Sequence, residues 1–522
     1  MSLVDSMHVM DQSPGNAVPG GGLVYMCISR GDLLGLQNAM STDKTIVNKR
    51  YDDEIDAVEG IEDVILGDTP LIAACRAGSV EITHYLVTNG AIVNEANDDG
   101  CTALMCACAQ GSDVNVKLLI DNSADVNLCD YGGVTALAYS CQSSGSKILE
   151  LLVENGAEVN CCDADGETPL MCATKLGSLE MVQKLLSYNA DVNMKNATGV
   201  TSLMMAAQEG NVQIVEELVL KGADINAQDY HDSDTALILA CLFCNLDVVK
   251  LLVKYGANIH ISNVDGMNGL MKSCVQGNME ITSHLVDHGA NIHAKNHAGN
   301  TALTYACMNG HDQVVSMLID RGADIHNRNI LGSTGIIWAC RENHLSVITV
   351  LLARNADINS VNNEGNSGLM IASKRGNSDV VNYLCTSGAT INARNKNGHT
   401  AVVFACSNGH EPVVRLLSSY GADLNLAGND NSTALMIACE RGHKNIVEYL
   451  AGSGVSLNVQ NSSGLTALVL ACMNGQKDVV LVLIKYGAYL HSLTHSLTHS
   501  LTHSLLIHFL SLSHTHYLLY ST

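Results

Sequence analysis

The chain is poor in basic residues and in aromatic residues. Its 522 residues include 28 lysines and arginines against 52 aspartates and glutamates, which gives a formal net charge of −24 at neutral pH. Nucleic acids and anionic membranes bind proteins through basic faces, so we expect no nucleic-acid ligand and no membrane partner. Aromatic residues make up only 4% of the chain, a composition that suits thin helical layers packed with Leu, Val, Ile, Ala and Cys.

The sequence also lacks the short motifs of common catalytic sites. It contains no G-x-x-x-x-G-K-[ST] phosphate loop, no G-x-G-x-x-G after a strand, no H-E-x-x-H and no G-x-S-x-G. Its longest dense apolar run, residues 505–512, is interrupted by His508 and Ser511 and is far shorter than the ~20 residues that span a bilayer. The N-terminus has no charged-then-apolar signal peptide. We therefore expect a non-enzymatic chain that carries no cofactor and no metal.

A unit of 33 residues recurs over most of the chain. Its clearest copy is Gly299–Asn329, GNTALTYACMNGHDQVVSMLIDRGADIHNRN. Thr301 is suited to cap a first helix, and Gly310 to end it where a positive φ is convenient. Residues 314–319 predict a second, amphipathic helix. The polar residues 324–329 predict a hairpin that leads to the next unit.

Two landmarks keep step with this unit. The residue in the place of Thr301 is threonine in eleven of thirteen copies and polar in the other two, and every step is 33 residues except one of 34. A Gly-Ala pair recurs 21 residues after this landmark, so two unrelated features stay in phase over residues 69–488. The landmarks of repeats one to thirteen are, in order, Thr69, Thr102, Thr135, Thr168, Thr201, Thr235, Asn268, Thr301, Thr334, Ser367, Thr400, Thr433 and Thr466.

This helix–turn–helix–hairpin period resembles the ankyrin repeat. The family pattern is a Thr-Pro-Leu start, a small-residue pair, a Gly-His turn, a Val-rich second helix and Gly-Ala-Asp-x-Asn; here it reads TPLMCATKLGSLEMVQKLLSYNADVN over Thr168–Asn193. The resemblance covers Leu66–Ala488 and implies an all-α ankyrin-repeat solenoid. Methionine often replaces the His that follows Thr-Pro-Leu, and we interpret these methionines as packing between repeats rather than as a sticky surface. They are Met105, Met171, Met204, Met271, Met370 and Met436.

Five stretches follow from these patterns. Residues 1–22 predict a disordered N-terminus, and residues 23–40 a degenerate capping repeat with Gly31 in its turn. Residues 41–65 predict an acidic insertion loop, since Asp52–Asp68 holds eight acids and no base. That loop is either a solvated segment or one that docks on a basic patch. Residues 66–490 hold thirteen ankyrin repeats, and residues 491–522 form a low-complexity SLTH tail that we predict to be disordered.

The tail allows three interpretations. Its four-residue tandem repeat is simplest as low complexity, and a mistaken gene model that replaces a further domain would also produce it. His495, His499 and His503 stand at i, i+4 spacing, which on a helix suits a shared metal. A membrane span is the third interpretation, against which the short apolar run argues.

Ten of the 19 cysteines share one place, six residues after the landmark. The other repeats have Thr174, Ala207 or Ser373 there, so the place selects small side chains, and a cysteine there is a buried hydrophobe. A disulfide or metal ladder is the alternative, and Cys241-x-x-Cys244 a lone redox or zinc motif. This many unpaired thiols predict a reducing, intracellular compartment, cytoplasmic or nuclear.

The resemblance implies a concave groove, formed by hairpin tips and first helices, whose variable positions select the partner. The seventh and eighth residues after each landmark match those positions. Repeats nine to twelve are unusually basic there, and we expect them to bind an acidic peptide segment because arginine forks suit carboxylates. The alternative is ordinary solvated charges, with the two glutamates as local partners. The candidate residues are Arg341, Glu342, Lys374, Arg375, Lys396, His399, Glu440 and Arg441.

The resemblance also implies a modification. Hairpin asparagines of ankyrin repeats are substrates of an asparaginyl hydroxylase that favours a Leu eight residues earlier, and four asparagines here meet that pattern, although the repeat alone also produces it. They are Asn127, Asn160, Asn193 and Asn226. His260, His293 and His326 replace this asparagine in three repeats, and we expect them to hydrogen-bond the next repeat rather than form a functional ladder.

These observations favour a monomeric scaffold or adaptor that binds other proteins. The alternative is that the chain is the targeting or regulatory ankyrin region of a larger enzyme, such as a kinase or ubiquitin ligase, or of a channel.

Overall fold

The computed structural model describes residues 20–52, 64–142 and 146–489. The predicted disordered N-terminus up to residue 19, most of the acidic residues of the insertion, and the tail from residue 490 lie outside the described residues. The chain forms two compact units, Met1–Ile261 and Ser262–Thr522. Within each unit, short helices come in pairs at the predicted period, and consecutive pairs pack against each other.

The first unit holds the predicted capping repeat and repeats one to six. Its α-helices, as first and second members of each pair, are Gly20–Ser29 and Leu33–Thr42; Pro70–Arg76 and Val80–Thr88; Ala103–Ala109 and Asp113–Asp121; Ala136–Ser140 and Ser146–Glu154; Pro169–Lys175 and Leu179–Ser187; Ser202–Glu209 and Val212–Leu220; Ala236–Leu242 and Leu246–Lys254.

The second unit holds repeats seven to thirteen. Its α-helices are Gly269–Gln276 and Met279–Asp287; Ala302–Met308 and Asp312–Asp320; Gly335–Arg341 and Leu345–Ala353; Gly368–Arg375 and Ser378–Thr386; Ala401–Ser407 and Glu411–Ser419; Ala434–Arg441 and Lys444–Gly452; Ala467–Met473 and Lys477–Lys485.

The landmark residue caps the first helix in almost every repeat. In repeat eleven the Thr400 hydroxyl accepts the backbone N–H of Val403 at 3.4 Å, and Asn268 does the same for Met271 at 3.0 Å. Such a cap satisfies one of the N–H groups that the first turn leaves without a helical partner. The prediction is wrong only for Thr334, whose side chain makes no cap bond and whose hydroxyl is buried without a partner.

Hairpins join successive repeats through single backbone bonds at their tips. In the second unit the N–H of Lys396 donates to the carbonyl of Glu364 at 3.0 Å, and that of Asn429 to the carbonyl of Asn397 at 2.9 Å. The first unit shows the same pattern, with the N–H of Tyr230 donating to Thr198 at 2.9 Å. Because one bond recurs at each step, the tips follow the stacked first helices and fix the register between neighbouring repeats.

The interiors of both units confirm the predicted packing. All six methionines that follow the Thr-x-Leu start are at most 1% exposed. Nine of the ten cysteines at the shared place are buried, and the tenth, Cys472 of the last repeat, is partly exposed. Small thiols let the layers approach closely: a Cβ added to Gly368 would lie 2.8 Å from the Sγ of Cys340 in the preceding repeat.

The start of the first unit differs from the predicted insertion loop. Its helix runs to Thr42, and a 3₁₀ helix follows over Lys44–Asn48. Asp68, expected among solvated acids, is fully buried. Its carboxylate accepts two bonds of 3.2 Å from the Arg76 guanidinium and one of 2.8 Å from the Asn97 amide. These partners offset the cost of removing the charge from water.

Candidate partner-binding surface

The predicted basic residues lie at the ends of consecutive first helices in the second unit. Arg341 is the last residue of its helix and Glu342 the C-cap, whereas Lys374 and Arg375 are the last two residues of the next first helix. Arg441 holds the same place in repeat twelve. Carbonyl groups at a helix C-terminus interact favourably with nearby cations, so the helix ends stabilise these basic side chains.

Arg341 is held by two neighbours. Its Nε lies 3.2 Å from the Glu342 carboxylate, and both side chains are about two-fifths exposed. Its guanidinium carbon lies 4.8 Å from the centre of the Trp338 ring. Glu342 is thus a local partner of Arg341, and such a half-exposed ion pair contributes at most about 1 kcal/mol.

Lys374 and Arg375 have no such carboxylate. Within the described residues, neither side chain has an acid at ion-pair distance, and both are exposed. The ammonium of Lys374 lies 5.9 Å from the centre of the Phe404 ring in the next repeat. With Arg341, Ile371 and Asn408 they line a pocket of about 350 Å³. The pocket therefore combines an apolar residue with three cations, of which only Arg341 is paired.

One of the two candidate hairpin residues lies beside the same ring. His399 lies edge-on to Phe404, with 6.1 Å between the ring centres. Lys396 is exposed, and its carbonyl accepts the Asn429 side-chain amide at 2.8 Å. The structure thus brings Lys374 and His399 close to Phe404, while Lys396 is exposed on the same hairpin as His399.

Glu440 and Arg441 lie two repeats beyond Lys374 and do not line this pocket. In the part of the chain that the structure describes, neither makes an ion pair, so Glu440 does not neutralise Arg441 as the alternative interpretation requires. The candidate residues therefore divide into a compact group around Ile371 and Phe404 and two separate charged residues, Glu440 and Arg441, in repeat twelve.

A row of partly exposed apolar side chains on the first helices was not among the residues predicted from the sequence. These residues occupy the fourth place after the landmark. One signal in the sequence points to them: the only tryptophan and one of only three phenylalanines fall at this place, two repeats apart. In repeats eight to thirteen the row is Tyr305, Trp338, Ile371, Phe404, Ile437 and Leu470.

A larger pocket lies elsewhere, between the second helices of repeats eleven and twelve, with a volume of about 430 Å³. Its cation is already engaged, because Arg415 pairs with Glu411 at 2.8 Å and lies 4.3 Å from the centre of the Tyr449 ring. Between residues 20 and 489, the described ranges contain no cluster of three metal-ligating side chains. They also contain no helix with the length and hydropathy of a membrane span.

The four candidate hydroxylation sites bridge adjacent repeats. The Asn127 amide donates to the Gly156 carbonyl at 3.0 Å, and its oxygen accepts the Glu158 N–H at 2.9 Å. The amide oxygens of the others accept backbone N–H groups of the following repeat in the same way: Asn160 from Asp191, Asn193 from Asp224 and Asn226 from Asn258. The leucines eight residues earlier, Leu119, Leu152, Leu185 and Leu218, are fully buried. Hydroxylation of these asparagines stays a prediction.

The histidines at this place do not behave as predicted. His260, His293 and His326 are exposed, and none of their side chains makes a hydrogen bond to the described residues. Only their backbone N–H groups are bonded, each to the side chain two residues earlier at 2.9–3.0 Å. An imidazole lacks the adjacent donor and acceptor with which a side-chain amide bridges two strands of backbone.

Comparison with known families agrees with this geometry. The sequence profile described as "Ankyrin repeats (3 copies)" matches overlapping segments between residues 36 and 493, namely 36–130, 71–163, 115–196, 137–229, 193–263, 237–329, 336–428 and 425–493. The matches are to ankyrin repeats alone, and no catalytic domain is detected. No curated protein matches the chain.

Proposed function

The chain belongs to the ankyrin repeat family, and from that premise we propose that it is a scaffold or adaptor whose repeats nine to twelve bind an acidic segment of a partner protein. The observation that carries this proposal is the unpaired charge of Lys374 and Arg375 beside Arg341. In a chain with 52 acidic residues, three cations around one pocket make the local charge positive where the net charge of the chain is negative.

The physical basis is electrostatic complementarity. Like-charge repulsion by the rest of an acidic surface discourages most acidic partners, so attraction is confined to the place where cations gather. Arginine forks bind carboxylates in a two-pronged geometry, and their bonds to charged acceptors are stronger than those between neutral groups. Rings under Arg341 and Lys374 restrict the motion of both cations, which lowers the entropy lost on binding.

The family supports a non-enzymatic, protein-binding role, and the thiol content supports a cytoplasmic setting. We propose that the protein acts there as a monomer. Its described residues offer a stack of binding positions along each unit, and a linear partner engages several repeats at once.

Charge reversal tests the proposal. Intact chain and the variant Lys374→Glu/Arg375→Glu are used to purify partners, which are identified by mass spectrometry, and cross-linking maps the partner segment. The matched control is Lys444→Glu/Lys477→Glu, the same change of charge at exposed second-helix positions of the same unit.

Loss of a partner with an acidic cross-linked segment in the first variant and its retention in the control would support the proposal. Because exposed charges are screened by salt, capture is also expected to weaken between low and high ionic strength. Equal capture by all three proteins would refute it.

A further inference from the structure

The apolar row of repeats nine to eleven adds a second kind of recognition to the basic group. Trp338, Ile371 and Phe404 occupy the same place in consecutive first helices, and each is only partly covered by the fold. The corresponding residues of repeats one and two, Ala73 and Cys106, are small and buried. Repeats three, five and six carry Tyr139, Met205 and Leu239 there, but Cys172 in repeat four interrupts them. An unbroken run of six large side chains is found at this place only in repeats eight to thirteen.

The apolar row and the cations come from neighbouring side chains of the same repeats. Arg341 lies on Trp338, Lys374 lies near Phe404, and Ile371 lines the same pocket as both cations. A ligand that reaches the cations must therefore cover the apolar row. Burial of a large apolar side chain contributes favourably in proportion to the area removed from water, so a purely acidic ligand would leave this contribution unused.

Resting on the proposed function, we propose that the partner segment is an acidic peptide in the polyproline II conformation, with a large apolar residue at every third position. Its apolar side chains contact Trp338, Ile371 and Phe404 in turn, and its carboxylates face Arg341, Lys374 and Arg375. The third face of the peptide remains in solvent.

The spacing of the repeats selects this conformation. Packed helices lie roughly 8–10 Å apart, and the first helices that carry the row pack directly on each other. A polyproline II helix has three residues per turn and rises about 3.1 Å per residue, so side chains at i, i+3 and i+6 share a face at steps of about 9 Å. A β-strand alternates faces every residue, and an α-helix rises only about 5.4 Å per turn. In neither conformation do successive side chains on one face of the peptide lie as far apart as two neighbouring first helices.

Peptide binding tests the register. The probe is a fluorescently labelled, end-blocked peptide of three Leu-Glu-Pro triplets, in which proline excludes the α-helix. One control peptide has Ala in place of each Leu, and a second has the composition of the probe with its three leucines adjacent. Affinity is measured by fluorescence anisotropy with the full chain at low salt.

We expect the probe to bind at least about tenfold more tightly than either control, the factor that corresponds to burying one leucine. Phe404→Ala should weaken binding of the probe by a similar factor and binding of the Ala-containing peptide by a clearly smaller one, since the latter loses only the ring beside Lys374. Alanine is compatible with the fold at this place, because Ala73 occupies it in repeat one. The matched control Leu470→Ala, at the same place in repeat thirteen beside Met473 and Asn474, should change neither affinity.

The inference and the proposed function fail differently. If all three peptides bind equally and Lys374→Glu/Arg375→Glu abolishes their binding, charge recognition stands and the apolar register is wrong. If the adjacent-leucine peptide binds as tightly as the probe, the polyproline II spacing is refuted. If no peptide binds and the charge reversal changes nothing, the proposed function itself fails.

Discussion

The imidazole Nε2 of His410 lies 3.0 Å from the carbonyl oxygen of Lys374. A side chain of repeat eleven thereby holds the backbone that carries the basic group of repeat ten. Because a carbonyl only accepts, the hydrogen must be on Nε2. The same arrangement recurs in the second unit, where His311 bonds Val275, His344 bonds Met308 and His443 bonds Ser407. The position of the basic residues in repeat ten therefore depends on the contact between repeats ten and eleven.

Replacing His410 with alanine should loosen this link. One hydrogen bond and its packing are lost, so the free energy of unfolding should fall by about 1 kcal/mol. His410→Asn should recover most of it, because Asn377 holds the same place in repeat ten and donates to the Cys340 carbonyl at 3.0 Å. Urea unfolding of the three proteins checks this. An equal loss for both substitutions would contradict the assigned bond.

A side chain at Gly376 should destabilise the fold. Its φ is +80°, and an added Cβ would lie 2.6 Å from the Nδ1 of His410. Gly376→Ala combines a left-handed conformation, which costs about 1–2 kcal/mol, with this close contact. The double variant Gly376→Ala/His410→Ala should be less destabilised than the sum of the single changes, since the close contact is then absent. Strict additivity in thermal or urea unfolding would rule out the contact.

His326→Asn should stabilise the second unit. An asparagine at this place in the following repeat, Asn359, accepts the N–H of Thr390 at 2.9 Å, and the equivalent bond from Asp357 to an asparagine at 326 would add about 0.5–1 kcal/mol. The converse change, Asn359→Ala, should destabilise by a comparable amount. Midpoints of urea unfolding measure both. No gain from His326→Asn would show that the amide bridge has little net value on this exposed hairpin.

Thiol reactivity should divide the cysteines by their burial. Burial raises the pKa of the Cys274 thiol to about 12, so in the folded protein it remains protonated well above the usual value of about 8.5. Thiolate is the reactive form. At pH 8 an alkylating reagent should therefore modify the exposed Cys129, Cys162 and Cys244 and spare Cys274 until the chain unfolds.

The sign of the pH effect follows from the same pKa. A thiol whose pKa is higher in the folded than in the unfolded chain contributes to the free energy of unfolding. This contribution is fully present below about pH 8.5 and is lost as the pH rises towards 12. Peptide mass spectrometry at pH 8 and pH 10 checks the labelling. Modification of Cys274 in the native protein as fast as that of Cys129 would contradict its burial.

Periodicity predicts most of this fold because each place in the unit recurs thirteen times. Caps, turns and buried small residues repeat with the period, so local chemistry alone identifies them. Asp68 cannot be recognised in this way: it ends a stretch of eight acids without a base, whereas its partners Arg76 and Asn97 come later in the chain. The carboxylate is therefore buried despite its surroundings.

The candidate surface shows the same limit. Basic residues at helix ends are visible as departures from an acidic composition, and Arg341, Lys374 and Arg375 do line one pocket. The row through Ile371 is harder to recognise, because apolar residues on a first helix are expected to be buried in the core. Whether that place is buried, as at Ala73, or partly exposed, as at Ile371, differs between repeats, and the period does not determine it.

Trp338 offers the most direct measurement of the central claim. It is the only tryptophan in the chain, and the Arg341 guanidinium lies over its ring. Binding of an acidic peptide at the basic group should change the emission of this one residue. A titration with the peptide of three Leu-Glu-Pro triplets should give a saturable change that is absent in Lys374→Glu/Arg375→Glu and retained in Lys444→Glu/Lys477→Glu. A saturable change of equal size in both charge-reversed proteins would contradict the account.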